Sequence, residues 1–262
     1  MKRNLSITLP LLLLLISVSG QTPTVFMTDG AEWAKARWSD GKPGADSVAV
    51  ITNGRTAVHS EGTTPLHTLR IGNNDAGGML RLNGGTLDVA NTIQMGTNGA
   101  GRSAVVHRGG AVRVNRVMLA SNHSAEAFAA YGIAAGSLEF NHMDVGTVGS
   151  AVFSVLGSAP ERVSGMNLFL RGGVNSGLEF ILDAEGVRTI ELSGRMEIGE
   201  SATIRVDGSR FPGSDAELVL IDARAVSGQL DPEKIVFTNF PEGVEPSLEV
   251  VRNQLLLRVR AQ

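Results

Sequence analysis

The chain has 262 residues, a formal net charge of −3 and 42% hydrophobic residues, a balance that excludes a disordered chain and a strongly basic nucleic-acid binder. Glycine is abundant at 32 residues while aromatics reach only 5%, so many turns and few large core side chains are expected. The absence of cysteine removes thiolate catalysis, cysteine metal sites and disulfides, and leaves packing and backbone hydrogen bonds to hold the fold.

At the N-terminus, Lys2 and Arg3 precede an apolar run from Leu5 to Val18, which ends in the small residues Ser19 and Gly20. This pattern predicts a secretory signal peptide over residues 1–20. A membrane anchor is the alternative, but about 14 apolar residues fall short of the roughly 20 that span a bilayer. Cleavage would leave an exported chain without a transmembrane segment, in the periplasm, on the cell surface or outside the cell. Losing Lys2 and Arg3 would take its formal charge from −3 to −5, a further argument against nucleic acid as partner.

Residues 21–47 then present Trp33 and Trp38 ahead of Gly41, Pro43 and Asp46. They read as an N-terminal cap in which the two indoles cover the first repeat; an aromatic sugar platform is the functional alternative.

From residue 48 to 212 short alternating segments dominate, among them "LRI" (69–71), "LRL" (80–82), "LDV" (87–89), "VRV" (112–114), "LEF" (138–140) and "IEL" (190–192). Each predicts a strand with one buried and one wet face. A residue closing a strand recurs at Gly72, Gly96, Ala120 and Gly146, with spacings of 24, 24 and 26. A second landmark, Gly85, Gly110 and Gly136, has spacings of 25 and 26. Two landmarks with one period predict an all-β, single-stranded β-solenoid like a parallel β-helix, capped at both ends. A β-sandwich would share the alternation without needing the register. At about 3.3 Å per residue one repeat traces roughly 80 Å, enough for three short strands around a narrow apolar core. About seven coils would stack to a length on the order of 30 Å. The glycines read as corners, where positive φ carries no Cβ penalty. The least regular stretch, residues 121–136, suggests a small Ala-rich helical excursion and is the one place that invites a specific site. Residues 213–262 lose the glycine marks and predict a C-terminal cap of longer strands, with Asn253-Gln254 as a hairpin turn.

The opening "WSDGKPGADSVAVI", the coils "LHTLRIGNNDAGGMLRLNGGTLDV" and the closing "LVLIDARAVSGQL" to "QLLLRV" resemble the passenger-type β-solenoids of bacterial autotransporter-repeat and PEP-sorting proteins. The resemblance spans most of the chain beyond residue 20 and implies an exported solenoid with a role in adhesion or the envelope matrix.

Chemistry-bearing patterns are sparse. His59, His67, His107, His123 and His142 lack metal-ligand spacing, His107 reading as solvated or half-buried. "GNNDAGG" at 72–78 reads as an Asx-type turn, and "GTNGAG" at 96–101 lacks the spacing of a dinucleotide fingerprint. No metal or cofactor site and no serine-nucleophile elbow is expected. Charge, however, is segregated: residues 66–116 carry six Arg against two Asp, while residues 139–200 carry four Arg against nine acids. Solubility and protection from edge stacking is one reading. The other makes Arg70, Arg81 and Arg113 a face for an anionic polysaccharide, with another surface protein or a second copy as further candidate partners. The expected function is a non-catalytic structural or adhesion module; the alternative is a polysaccharide lyase or hydrolase on the same scaffold.

Overall fold

Period-two alternation lets a segment such as Leu87-Asp88-Val89 bury two apolar groups and keep one acid wet. In the computed structural model, which describes residues 23–73, 75–97, 99–120, 126–173 and 175–262, such segments run end to end as long bent strands. They are β1 (Pro23–Val25), β2 (Val48–Ile51), β3 (Thr56–His59), β4 (Thr63–Ile71), β5 (Gly78–Met95), β6 (Arg102–Leu119), β7 (Phe128–Val145) and β8 (Ser150–Leu156). There follow β9 (Pro160–Leu170), β10 (Gly177–Ile181), β11 (Ile190–Ile198), β12 (Thr203–Asp207), β13 (Ala216–Ser227), β14 (Ile235–Thr238), β15 (Val244–Val251) and β16 (Gln254–Ala261). The architecture is a β-solenoid of about seven turns built from parallel stacked coils. No helix among the described residues is long and apolar enough to cross a membrane. The apolar run read as a signal peptide lies outside the described residues.

Each full coil has three sides. Between β5 and β6 the parallel pairing runs from Gly78↔Ser103 to Leu82↔His107, resumes at Thr86↔Ala111 to Val89↔Val114, and resumes again at Thr92↔Arg116 to Met95↔Leu119. Register breaks separate the three stretches and mark the corners. Beyond β7 the chain divides the work: β8, β10, β12 and β14 continue the first side, while β9, β11 and β13 continue the second and third.

Apolar columns line the interior of each side. The first stacks Ala57, Leu80, Val105, Tyr131 and Phe153; the second Leu87, Val112, Leu138, Val163 and Ile190; the third Leu69, Ile93, Val117, Met143 and Leu168. All are buried. One coil alone would leave its column wet, and each such side chain contributes about 1.5–3 kcal/mol only when a neighbouring coil covers it. Repetition is therefore the means by which a Gly-rich, aromatic-poor chain acquires a core.

The landmark residues occupy the corners. Gly85, Gly110 and Gly136 have φ of 71°, 76° and 83° and stack directly, so that a Cβ on any one would strike the backbone of the coil before it. At the other landmark, Ala120 adopts φ 47° in the column of Gly72, Gly96 and Gly146, an L-residue holding a glycine conformation.

The expected helical excursion is corrected. Residues 128–136 are not helical: they form the first half of β7 and pair with β6 and β8, because Ala129, Tyr131 and Ile133 continue the period-two core column. Residues 121–125 of the same expectation lie outside the described residues. The loop at 72–78 also bonds to the next coil: Asp75 Oδ1 accepts from the Ala100 amide at 2.9 Å and Asn73 Oδ1 from Thr97 Oγ1 at 3.0 Å.

The stack ends by changing direction. β16 lies antiparallel to β13, and β15 antiparallel to β16, closing the array with a hairpin whose turn residues Arg252 and Asn253 have φ of 50° and 66°. The turn thus falls one residue before the expected Asn253-Gln254, because a two-residue turn of this kind needs positive φ at both positions and Gln254 is already paired. The outer strand β15 carries Glu245, Pro246 and Glu249, features that discourage further strand addition. At the opposite end, Trp33 and Trp38 pack with ring centroids 4.7 Å apart, and Phe26 meets Trp38 edge-on at 5.1 Å. Both indoles are buried, so neither offers a face to a sugar.

Candidate functional site

An open groove of about 970 Å³ lies on the second side of the solenoid, running along the axis across β5, β6, β7, β9, β11 and β13. Its position follows from the alternation. In these strands the residues between buried apolar neighbours must point out, and parallel pairing brings Asp88, Arg113, Glu139, Ser164, Glu191 and Asp222 into one column. Arg162 reaches into that column from the same strand as Ser164. Its guanidinium lies 3.4 Å from Glu139 and 3.7 Å from Glu191, while Arg113 lies 3.7 Å from the other Glu139 oxygen. A neighbouring row is softer, with Asn141 Nδ2 donating to Asn115 Oδ1 at 3.0 Å and Met166 exposed.

These ion pairs are wet. The side chains of Arg113 and Arg162 are 59% and 57% exposed and Glu191 is 63% exposed, so each pair contributes at most about 1 kcal/mol and can be exchanged for a ligand group.

Only one of the three arginines read as a polymer face lies here. Arg113 lines the groove; Arg70 stands on the third side, where its Nε donates to Gln94 Oε1 at 3.0 Å; Arg81 stands exposed on the first side. All three are strand-centre residues, but they belong to different sides of the coil, and alternation within a strand carries no information about which side it will form. The groove instead recruits Arg162 and Arg224. Register neighbours in the column lie 25 to 31 residues apart along the chain, with the longest offset at the C-terminal end, which hides the column from a fixed-period reading.

The charge segregation has a structural counterpart where the Arg-rich and acidic coils meet. On the third side Asp144, only 3% exposed, is held by Arg116 at 2.8 Å and by Arg171 at 3.1 Å, and Arg171 continues to Glu197 at 3.1 Å. The Arg171 guanidinium also lies 4.3 Å over the Phe169 ring, on which His142 stacks. This network ties four successive coils together, those of β6, β7, β9 and β11.

His107 is fully buried rather than solvated, because it occupies an inward position of the first side beside Leu82 and Ile133. Its Nε2 donates to the Gly110 carbonyl at 3.3 Å and its Nδ1 accepts from Tyr131 Oη at 3.1 Å, which assigns the neutral tautomer. Burial lowers its pKa to about 4, against partial support for the charged form from the Gly110 and Gly109 carbonyls; burial likewise raises that of Tyr131. The unfolded chain takes up this proton near pH 6.5 and the folded chain only near 4, so stability is full above 6.5 and falls as pH drops through that window. The expected loss is about 3 kcal/mol, absent in His107→Leu, as read from urea unfolding at pH 7.5 and 4.5. A parallel pH dependence in the variant would refute the assignment.

His59 is buried too, between the Gly84 carbonyl and Thr64 Oγ1, each at 3.0 Å. His67 contacts Thr68, and His123 lies outside the described residues. Among the described residues no group of three or more His, Cys, Asp or Glu is arranged to hold a metal ion. Compared with protein-family models, with curated proteins and with solved structures, the chain matches none.

Proposed function

We propose that this protein is an exported, non-catalytic structural or adhesion solenoid of the bacterial envelope or extracellular matrix, and that its groove receives an extended acidic polymer. The observation that carries the reading is the groove itself: open along its length, crossing six strands, and lined by exposed guanidiniums, carboxylates and amides instead of an enclosed apolar pocket. A ligand that lies along several coils gains many modest contacts, the regime suited to a polymer and to avidity rather than to a small molecule. Export rests on Lys2, Arg3 and the apolar run to Gly20.

A second reading, a carbohydrate-active enzyme, draws on Glu139 and Glu191 facing the same groove on either side of Arg162, since paired carboxylates are the working groups of glycoside hydrolysis. One experiment separates them. The purified chain is incubated with acidic and neutral polysaccharides while binding and product release are followed together. Retention on acidic polymers without products is the expected result; products would establish the enzyme, and absence of binding to every polymer would overturn both. Fractionation of cells that express the full chain tests export, and a chain confined to the cytoplasm would refute it.

A further inference from the structure

We infer that the groove is built for a linear glycan that carries one carboxylate per disaccharide, an acidic sugar alternating with a neutral one; this rests on the polymer-binding reading above. The observation is a charge alternation with a period of two coils. Reading along the axis from β5 to β11, the groove presents Asp88, Arg113, Glu139, Arg162 and Glu191; on β13 Asp222 holds the next column position and Arg224 stands two residues further along the strand. Over these five coils basic groups therefore alternate with acids, and the acid Asp222 ends the series. Parallel strands lie about 4.8 Å apart, so successive guanidiniums are anchored about 9.6 Å apart along the axis.

That step selects among polymers. An extended peptide returns a side chain to the same face every two residues, about 6.6 Å, and falls out of phase with the arginines within two steps. A nucleic-acid strand carries a phosphate on every nucleotide and would set half of its charges against Glu139 and Glu191. A homopolymeric polyuronate meets the same repulsion, because every sugar bears a carboxylate. An extended disaccharide unit of a linear glycan is close in length to the two-coil step. With one carboxylate per unit, successive anions can face Arg113 and Arg162, where a guanidinium offers paired donors. The intervening neutral sugar then brings its hydroxyl donors to Glu139 and Glu191, which in the free protein are occupied by the exposed arginine pairs. The acids thus serve as the elements that reject the wrong charge spacing.

The test uses the full chain and three size-matched probes: hyaluronan oligosaccharides, in which a uronic acid alternates with an N-acetylated amino sugar, oligogalacturonate, and a neutral β-glucan. Hyaluronan is expected to bind at least tenfold more tightly than oligogalacturonate. Arg113→Glu with Arg162→Glu should remove hyaluronan binding, whereas Arg81→Glu on another side leaves it unchanged. Glu139→Gln with Glu191→Gln, which cannot fail merely by losing function, should raise oligogalacturonate binding toward that of hyaluronan. Equal or tighter binding of oligogalacturonate by the unaltered protein would overturn the alternating-charge inference while sparing the polymer reading. Silence of all three probes would overturn both.

Discussion

Gly110→Ala is expected to lower stability by at least about 3 kcal/mol, the combined cost of a left-handed L-residue and a backbone collision. Gly110 has φ 76°, and its Cβ would be driven into the Gly85 carbonyl of the preceding coil. The obstacle is main chain, not a side chain that can turn away, and moving it means prising β5 from β6. The same corner receives the His107 Nε2 hydrogen bond, so displacing Gly110 also strips a buried imidazole of its acceptor. Gly44→Ala is the control. A Cβ there meets nothing within 4 Å, and the change should stay within about 0.5 kcal/mol. Urea unfolding of the two variants beside the parent gives the comparison; equal midpoints would show that the corner column does not hold the coils in register.

A second large effect is expected at the junction of the Arg-rich and acidic coils. Arg116→Met combined with Arg171→Met leaves the Asp144 carboxylate buried with neither guanidinium, and a stranded buried charge costs about 3–5 kcal/mol. Adding Asp144→Asn to the pair should recover most of the loss, since an amide needs partners but carries no charge to desolvate. The asymmetry is the informative part. Arg116 and Arg171 are 45% and 35% exposed and can turn to water when the acid is removed, so Asp144→Asn alone should be the mildest of the three. Chemical denaturation of the single, double and triple variants checks the order, and a triple variant no better than the double would place the damage in lost packing on Phe169 instead.

The glycine and aromatic content, the alternating triplets and the two landmarks were sufficient for the solenoid, its three sides and its corners, because strand alternation and positive φ are properties of a residue and its immediate neighbours. Even the outlier was readable: Ala120 falls where the period demands a glycine and takes the glycine's conformation. Side-chain partners were another matter. Asp75 resembles a local turn residue in isolation, yet its acceptor meets an amide 25 residues on. His107 resembles a strand-end histidine, yet one inward position buries it against Tyr131. The Ala-rich residues 128–136 have helical composition, and neighbouring coils on both sides make them a strand.

The groove marks the division most clearly. Sequence alone determined that Arg70, Arg81 and Arg113 point outward, since each lies between two buried neighbours. Only tertiary structure decided that they stand on three different sides, and that Arg113 shares its own with Glu139, Arg162 and Glu191. Alternation sets the direction of a side chain with a period of two, but its neighbours are set by the length of a whole coil. That length drifts from the offset of Asp88↔Arg113 to the longer one of Glu191↔Asp222, and only the stacked coils reveal it.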